Sequence, residues 1–238
     1  MINKIAASVA QALAGISDGS TVLIGGFGTA GIPNELIDGL IEQGARDLTV
    51  VNNNAGNGDQ GLAALLKTGR VRKIICSFPR QADSWVFDEL YRGKRIELEL
   101  VPQGNLAERL RAAGAGVGAF FTGTGYGTDL AMNPDGTPKE TRVIHGKGHV
   151  LEYPIHGDVA LIKAEAGDRW GNLVYRKAAR NFGPVMATAA RRTIATVHQI
   201  VELGDLDPEV IVTPGIHVSA IVQVPRVATS AGGFKMVA

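Results

Sequence analysis

The stretch Thr21-Val22-Leu23-Ile24-Gly25-Gly26-Phe27-Gly28-Thr29-Ala30-Gly31-Ile32-Pro33 passes from four apolar or β-branched residues, through closely spaced glycines, to a proline. The first four residues read as a buried strand and the glycines as a tight turn. Pro33 to Gln43 reads as a helix with proline in its first turn. The same unit recurs downstream. Leu48–Val51, Val71–Cys76 and Ile96–Val101 read as strands, with Asp59–Lys67 and Asp83–Tyr91 as the helices between them. After the last of these strands, Asn105 reads as a helix N-cap with Glu108 in the capping-box position. Apolar strands alternating with helices define an α/β class: an open, mainly parallel sheet with helices on both faces.

The second half is less regular and predicts a smaller β-rich insertion. Phe120 to Gly136 reads as a long loop. Thr141–Ile144 and His149–Tyr153 read as a hairpin in which His145 and His149 face each other across the turn. Asp158–Lys163, Leu173–Tyr175 and Thr193–Ile200 read as strands, and Pro184–Arg191 as a helix. One domain is expected over 1–225, and a poorly ordered tail over 226–238.

Composition narrows the function classes. The chain has 238 residues, 45% hydrophobic and 20% charged, which is ordinary globular usage. With 24 basic against 23 acidic residues, the balance argues against an electrostatic nucleic-acid binder or a membrane-seeking surface. At the N-terminus Ile2, Ile5, Val9 and Leu13 recur at helical spacing, which predicts an amphipathic helix rather than a signal peptide. A single cysteine, Cys76, excludes an intramolecular disulfide and a cysteine-cluster metal site, and no metal site is expected. These features point to a cytoplasmic protein. Glycine, at 31 residues, is well above its usual share of ~7% and calls for tight turns and close backbone approach.

Open parallel sheets bind ligands at the carboxyl ends of their strands. The leading strands end in Gly25-Gly26-Phe27-Gly28, Asn52-Asn53-Asn54-Ala55-Gly56, Ser77-Phe78-Pro79-Arg80-Gln81 and Pro102-Gln103-Gly104-Asn105. These loops offer backbone N–H groups and carboxamides, donors that suit a developing oxyanion. Gly26-x-Gly28-x-x-Gly31 has dinucleotide-binding spacing, but the second strand ends in Asn52 where an acidic ribose ligand belongs. Nucleophiles are poor: Cys76 closes an apolar strand, and no serine has a Gly-x-Ser-x-Gly elbow. The basic run Arg176 to Phe182 reads as a solvated face or, with Asp168 and Asn172, an anchor for a neighbouring loop or protomer.

Taken together, Asp18 to Pro33, Asn53-Asn54-Ala55-Gly56, Val101 to Arg109, Thr124-Gly125-Tyr126-Gly127-Thr128 and Arg176 to Phe182 closely resemble the class I CoA-transferases, in order, from about Ile16 to Pro214. The match is to the A (alpha) subunit of the 3-oxoacid branch. This resemblance implies transfer of CoA from succinyl-CoA to a 3-oxoacid, 3-oxoadipate ahead of acetoacetate, through a glutamyl-CoA thioester. It also implies a B subunit that carries the nucleophilic glutamate, an A2B2 assembly, and no permanently bound cofactor, CoA thioester being substrate. By family position Gln103 is the expected oxyanion donor. Asn53 and Asn54 lie beside the acyl group, and Gly25, Gly26, Phe27, Gly28 and Gly31 shape the acyl site. Arg80 reads as the partner of a distal substrate carboxylate or as a surface arginine capping the loop that follows. Glu42, Glu165 and Glu202 each have glycine two residues on, as at the family's nucleophile. Of these, Glu165 is the one to weigh, because it follows a buried strand. A non-catalytic ligand-binding domain on the same scaffold is the alternative of another class.

Overall fold

The computed structural model describes residues 2–133 and 135–226. The chain runs α1 (Val9–Leu13), β1 (Thr21–Ile24), α2 (Asn34–Gln43), β2 (Leu48–Val51), α3 (Leu62–Lys67), β3 (Val71–Cys76), α4 (Trp85–Arg92), β4 (Glu97–Leu100) and α5 (Gln103–Ala115). It continues through β5 (Phe120–Thr122), β6 (Thr141–Ile144), β7 (Lys147–Glu152), β8 (Gly157–Lys163), β9 (Ala166–Asp168) and β10 (Leu173–Val174). The last described elements are α6 (Gly183–Ala189), β11 (Ala190–Val197), β12 (Gln199–Val201) and β13 (Ala220–Gln223).

Seven strands form one parallel sheet in the order β13-β11-β8-β1-β2-β3-β4. Strand alternation divides its side chains between two cores. Val22, Ile24, Val50, Ile74 and Leu161 pack with Leu36 and Leu40 of α2, Leu65 of α3 and Phe87 of α4. Leu23, Val51, Ile75 and Ile162 face the other way, onto Leu106 and Leu110 of α5 and Met186 of α6. Both faces are therefore covered, as a parallel sheet requires. The β-rich insertion consists of two three-stranded sheets, β10-β9-β12 and β5-β7-β6. Among the described residues no helix is long and apolar enough to cross a membrane.

Several expectations need correction. The N-terminal residues do not form one helix. Ile5 pairs with Ile221 beside β13, and only Val9–Leu13 is helical. A helix this short is marginal in water, so pairing at the sheet edge prevails for residues 4–6. The third helix begins at Leu62 rather than Asp59, because Gly58 and Gly61 adopt positive φ. Phe120–Thr122 is a strand inside the expected loop, paired with Leu151 and its neighbours on β7. In the β6–β7 hairpin His145 and Gly146 form the two-residue turn, both at positive φ, and His149 stands opposite Arg142, not His145. Asn105 does not cap a helix. Pro102 holds that position at φ −51°, and α5 starts directly after it. Apart from Arg226, the tail expected over 226–238 lies outside the described residues.

Candidate active site

Four loops meet above the carboxyl ends of β1 to β4. In the first, Gly26 has φ +124°, and a Cβ there would collide with the Ile32 side chain. Gly31 has φ +73°, and its Cβ would lie 2.7 Å from the Ala179 carbonyl oxygen. This loop is clamped by Asn181. The Asn181 Oδ1 accepts from Gly26 N–H at 3.1 Å, and its Nδ2 donates to the Ala30 carbonyl at 3.0 Å. The run Arg176 to Phe182 is thus an anchor for the glycine loop. Asp168 and Asn172 do not take part in it; they brace the β9–β10 turn and Gly215 N–H.

The second loop supplies three buried asparagines with separate tasks. Asn52 ties two loops together, its Nδ2 donating to the Ile24 carbonyl at 2.7 Å and its Oδ1 accepting from Asn54 N–H. Asn54 accepts from Gly56 N–H through Oδ1 and donates to the Gly28 carbonyl at 3.4 Å. Asn53 is the centre of the arrangement. Its Oδ1 accepts from Gln103 Nε2 at 2.6 Å and from Ser77 Oγ at 2.8 Å. Gln103 is the first residue of α5, so the helix N-terminus lies beside Asn53.

Above these side chains lies a pocket of about 510 Å³. Its polar wall is Asn53, Asn54, Ser77, Gln81 and Gln103, and its apolar wall is Phe27, Phe78 and Ala82, with Gly28 at the edge. Phe27 and Phe78 remain 49% and 60% exposed. One Gln103 Nε2 hydrogen is held by Asn53, which leaves the second for a ligand. The Asn53 Nδ2 donates to no group among the described residues. Among the described residues the pocket thus offers uncharged donors and no carboxylate, cation or thiol in its lining. A larger groove of about 1090 Å³ runs along β4, but its charged lining residues are mostly paired with one another and the carboxamide cluster is not part of it.

Gly25 is buried at the end of β1, and Gly26 and Gly31 shape the turn without lining the pocket. The Arg80 Nε donates to Asp88 Oδ1 on α4 at 2.6 Å, so its guanidinium holds an ion pair outside the pocket wall. Glu165 follows β8, and its carboxylate pairs with Arg226, likewise outside the pocket. Near Glu42 and Glu202, Gly44 and Gly204 occupy positive-φ turn positions. Burial pushes the Cys76 thiol up to about 12, which leaves no thiolate for chemistry at neutral pH. No group of side chains among the described residues is arranged to hold a metal. Ser77, Phe78 and Asn181 are site or anchor residues that motif reading does not single out. Ser77 and Phe78 lie in the loop after β3, and Asn181 in the basic run, but no local pattern distinguishes them from their neighbours.

Comparison with known proteins agrees with this architecture. The family model described as coenzyme A transferase matches residues 6–224. The chain is 66% identical over 230 residues to the A subunit of the 3-oxoadipate CoA-transferase of Pseudomonas putida, covering 97% of each. It is 50% identical over 217 residues to the A subunit of the succinyl-CoA:3-ketoacid coenzyme A transferase of Xanthomonas campestris pv. campestris (strain B100), covering 91% of this chain and 87% of that protein. Among solved structures, an acyl-CoA transferase apoenzyme from Escherichia coli O157:H7 superposes with a TM-score of 0.80 at 22% identity. There the match covers 93% of this chain and 47% of that one, so this chain spans about half its length. By its sequence, this chain belongs to the coenzyme A transferase family.

Proposed function

We propose that the chain is the A subunit of a CoA-transferase that moves CoA from succinyl-CoA to 3-oxoadipate, with its nucleophile on a B subunit. One observation carries the division of labour: among the described residues the pocket presents carboxamide donors from Asn53 and Gln103 and has no carboxylate in its lining. The choice of acceptor follows the 66% identity to the 3-oxoadipate relative against 50% for the 3-ketoacid relative. We further propose a cytoplasmic A2B2 assembly.

The chemistry is covalent catalysis. A glutamate carboxylate of the B subunit makes the first attack, on the thioester carbonyl of succinyl-CoA. The C–S bond breaks, CoA leaves as thiolate, and a glutamyl–succinyl anhydride remains. The thiolate then attacks the glutamyl carbonyl, expels succinate and forms the glutamyl-CoA thioester. The 3-oxoacid carboxylate reverses both steps. Each attack places negative charge on a carbonyl oxygen. Gln103 Nε2 donates to that oxygen, while Asn53 holds the Gln103 carboxamide in place and Asn54 holds the glycine loop beside it. A preorganised donor of this kind is worth about 10²–10³ in kcat. CoA is substrate throughout, and the scheme calls for no resident cofactor or metal. Arg80 is the proposed partner of the acceptor's distal carboxylate, taken up in exchange for Asp88.

The test is a reconstitution with succinyl-CoA and either 3-oxoadipate or acetoacetate. It compares this chain by itself, with its B partner, and with a B partner whose nucleophilic glutamate is changed to alanine. Transfer only with the intact partner, and faster to 3-oxoadipate, is the expected result. Transfer by this chain without a partner would place the nucleophile here, with Glu165 first in line. No transfer in any combination would favour a ligand-binding domain. Arg80→Ala should lower 3-oxoadipate turnover about tenfold and spare acetoacetate. Equal loss with both acceptors removes the proposed role.

A further inference from the structure

Among the described residues no side chain caps the N-terminus of α5, yet its first turn presents Gln103 to the pocket. Two contacts on opposite sides hold that turn. On one side Gln103 Nε2 donates to Asn53 Oδ1. On the other is Asn105, two residues along and therefore turned to a different face of the helix. Asn105 is 3% exposed, and its Nδ2 donates to the Thr124 carbonyl at 3.2 Å and to Glu152 Oε1 at 3.4 Å. Asparagine is a modest helix former and a buried amide is costly unless bonded. In this place it does what leucine or alanine would not: it fastens the helix start to another sheet.

That other sheet is itself fixed. Glu152, on β7, is buried and is held by Lys139 Nζ at 2.6 Å and Arg109 Nε at 3.8 Å. Arg109 and Lys73 also grip Glu99 of β4, at 2.8 and 2.5 Å. The chain of charges joins the edge of the main sheet, α5 and the β5-β7-β6 sheet into one mount. Thr124 belongs to the Thr124–Thr128 motif, which otherwise has no task in the site.

We infer that Asn105 and Glu152 are positioning residues, which aim the Gln103 carboxamide at the reacting carbonyl through the first turn of α5. The inference rests on the oxyanion role proposed for Gln103. Catalysis by preorganised donors is steep in distance, and a misplacement of about 1 Å can lower a rate about 10²-fold.

The experiment is a double-mutant cycle in the complex reconstituted with the B partner. Asn105→Ala and Glu152→Gln are each measured singly and combined with Gln103→Ala. Asn105→Ala should lower kcat about tenfold, and Glu152→Gln, which keeps an oxygen for Asn105, about threefold, with KM for both substrates changed less than about twofold. Each double variant should be no slower than Gln103→Ala by itself, because a residue acting through Gln103 has nothing left to aim. Effects that multiply, or an undiminished kcat in Asn105→Ala, overturn the inference. If Asn105→Ala fails to assemble with its partner, the Glu152→Gln cycle decides by the same criterion. Full kcat in Gln103→Ala would refute the oxyanion role itself, visibly and separately, and the positioning role with it.

Discussion

Asn53 accepts two hydrogen bonds on one oxygen, from Gln103 and Ser77, and so fixes its own amide plane. Gly31 works differently, by having no side chain where the Ala179 backbone passes. Gly28 shares the left-handed backbone, at φ +59°, but has open space around it. Gly31→Ala and Gly28→Ala should therefore both lose about 1–2 kcal/mol to backbone strain. Gly31→Ala should lose more, because the Ala179 carbonyl belongs to backbone and cannot swing aside. Urea unfolding midpoints of the two variants check the order. Cys76, buried with its thiol pushed up to about 12, should resist iodoacetamide at pH 8 in the native protein and react once unfolded. Gln103, Asn53 and Asn54 are marked in the sequence by the family resemblance, on loops that follow readable strands. Ser77 stands directly behind such a strand too, but no motif marks it, and none marks Asn181. Asn181 meets Gly26 across 155 residues, and no local periodicity encodes such a contact.

Among the elements, α5 departs most usefully from its sequence reading. The Asn105…Glu108 spacing imitates a capping box, but Pro102 already supplies a helix-compatible φ, so the helix begins earlier and Asn105 turns inward. Most of the expected strands are legible within a residue or two, but Thr193–Ile200 starts three residues late and runs past the end of β11 at Val197 into β12. Phe120–Thr122 is lost to such a reading because three residues in a glycine-rich region carry no period, and only pairing with β7 makes them a strand. The β4–α5 junction also has a pH signature. Burial pushes the Glu99 carboxyl up, but hydrogen bonds from Lys73 and Arg109, with their charges, outweigh burial and hold it below the usual glutamate range. A carboxyl lowered in the fold contributes stability that is complete above its unfolded pKa, about 4.3, and is lost as pH falls through the lower folded value. Denaturant midpoints should therefore fall more steeply below about pH 4.3 in the parent than in Glu99→Gln, which has no charge left to lose.

At the scale of the molecule, the chain leaves β1 in one direction along the sheet and returns through β8 to build the other. All carboxyl ends consequently lie on one edge, but the described pocket covers only β1 to β4 and opens past Phe27 and Phe78. On the proposed function this wall of donors with an open side is half of a site, and the half-reaction tests that reading without any acceptor. Succinyl-CoA is mixed with only the B partner, with both proteins, and with the B partner plus the Gln103→Ala chain. Intact-mass spectrometry then follows the B partner for the glutamyl-CoA thioester, while free succinate is measured in parallel. With both proteins, thioester and succinate should appear in equal amounts. With only the B partner neither should form at a comparable rate, because in the proposed scheme the anhydride and thioester steps both pass through an oxyanion stabilised by this chain. Gln103→Ala should reach the same amplitude about 10²-fold more slowly, since the donor acts on the barrier and not on the equilibrium. Thioester formation by the unaccompanied B partner at the full rate would mean that the carboxamide pocket takes no part in the chemistry.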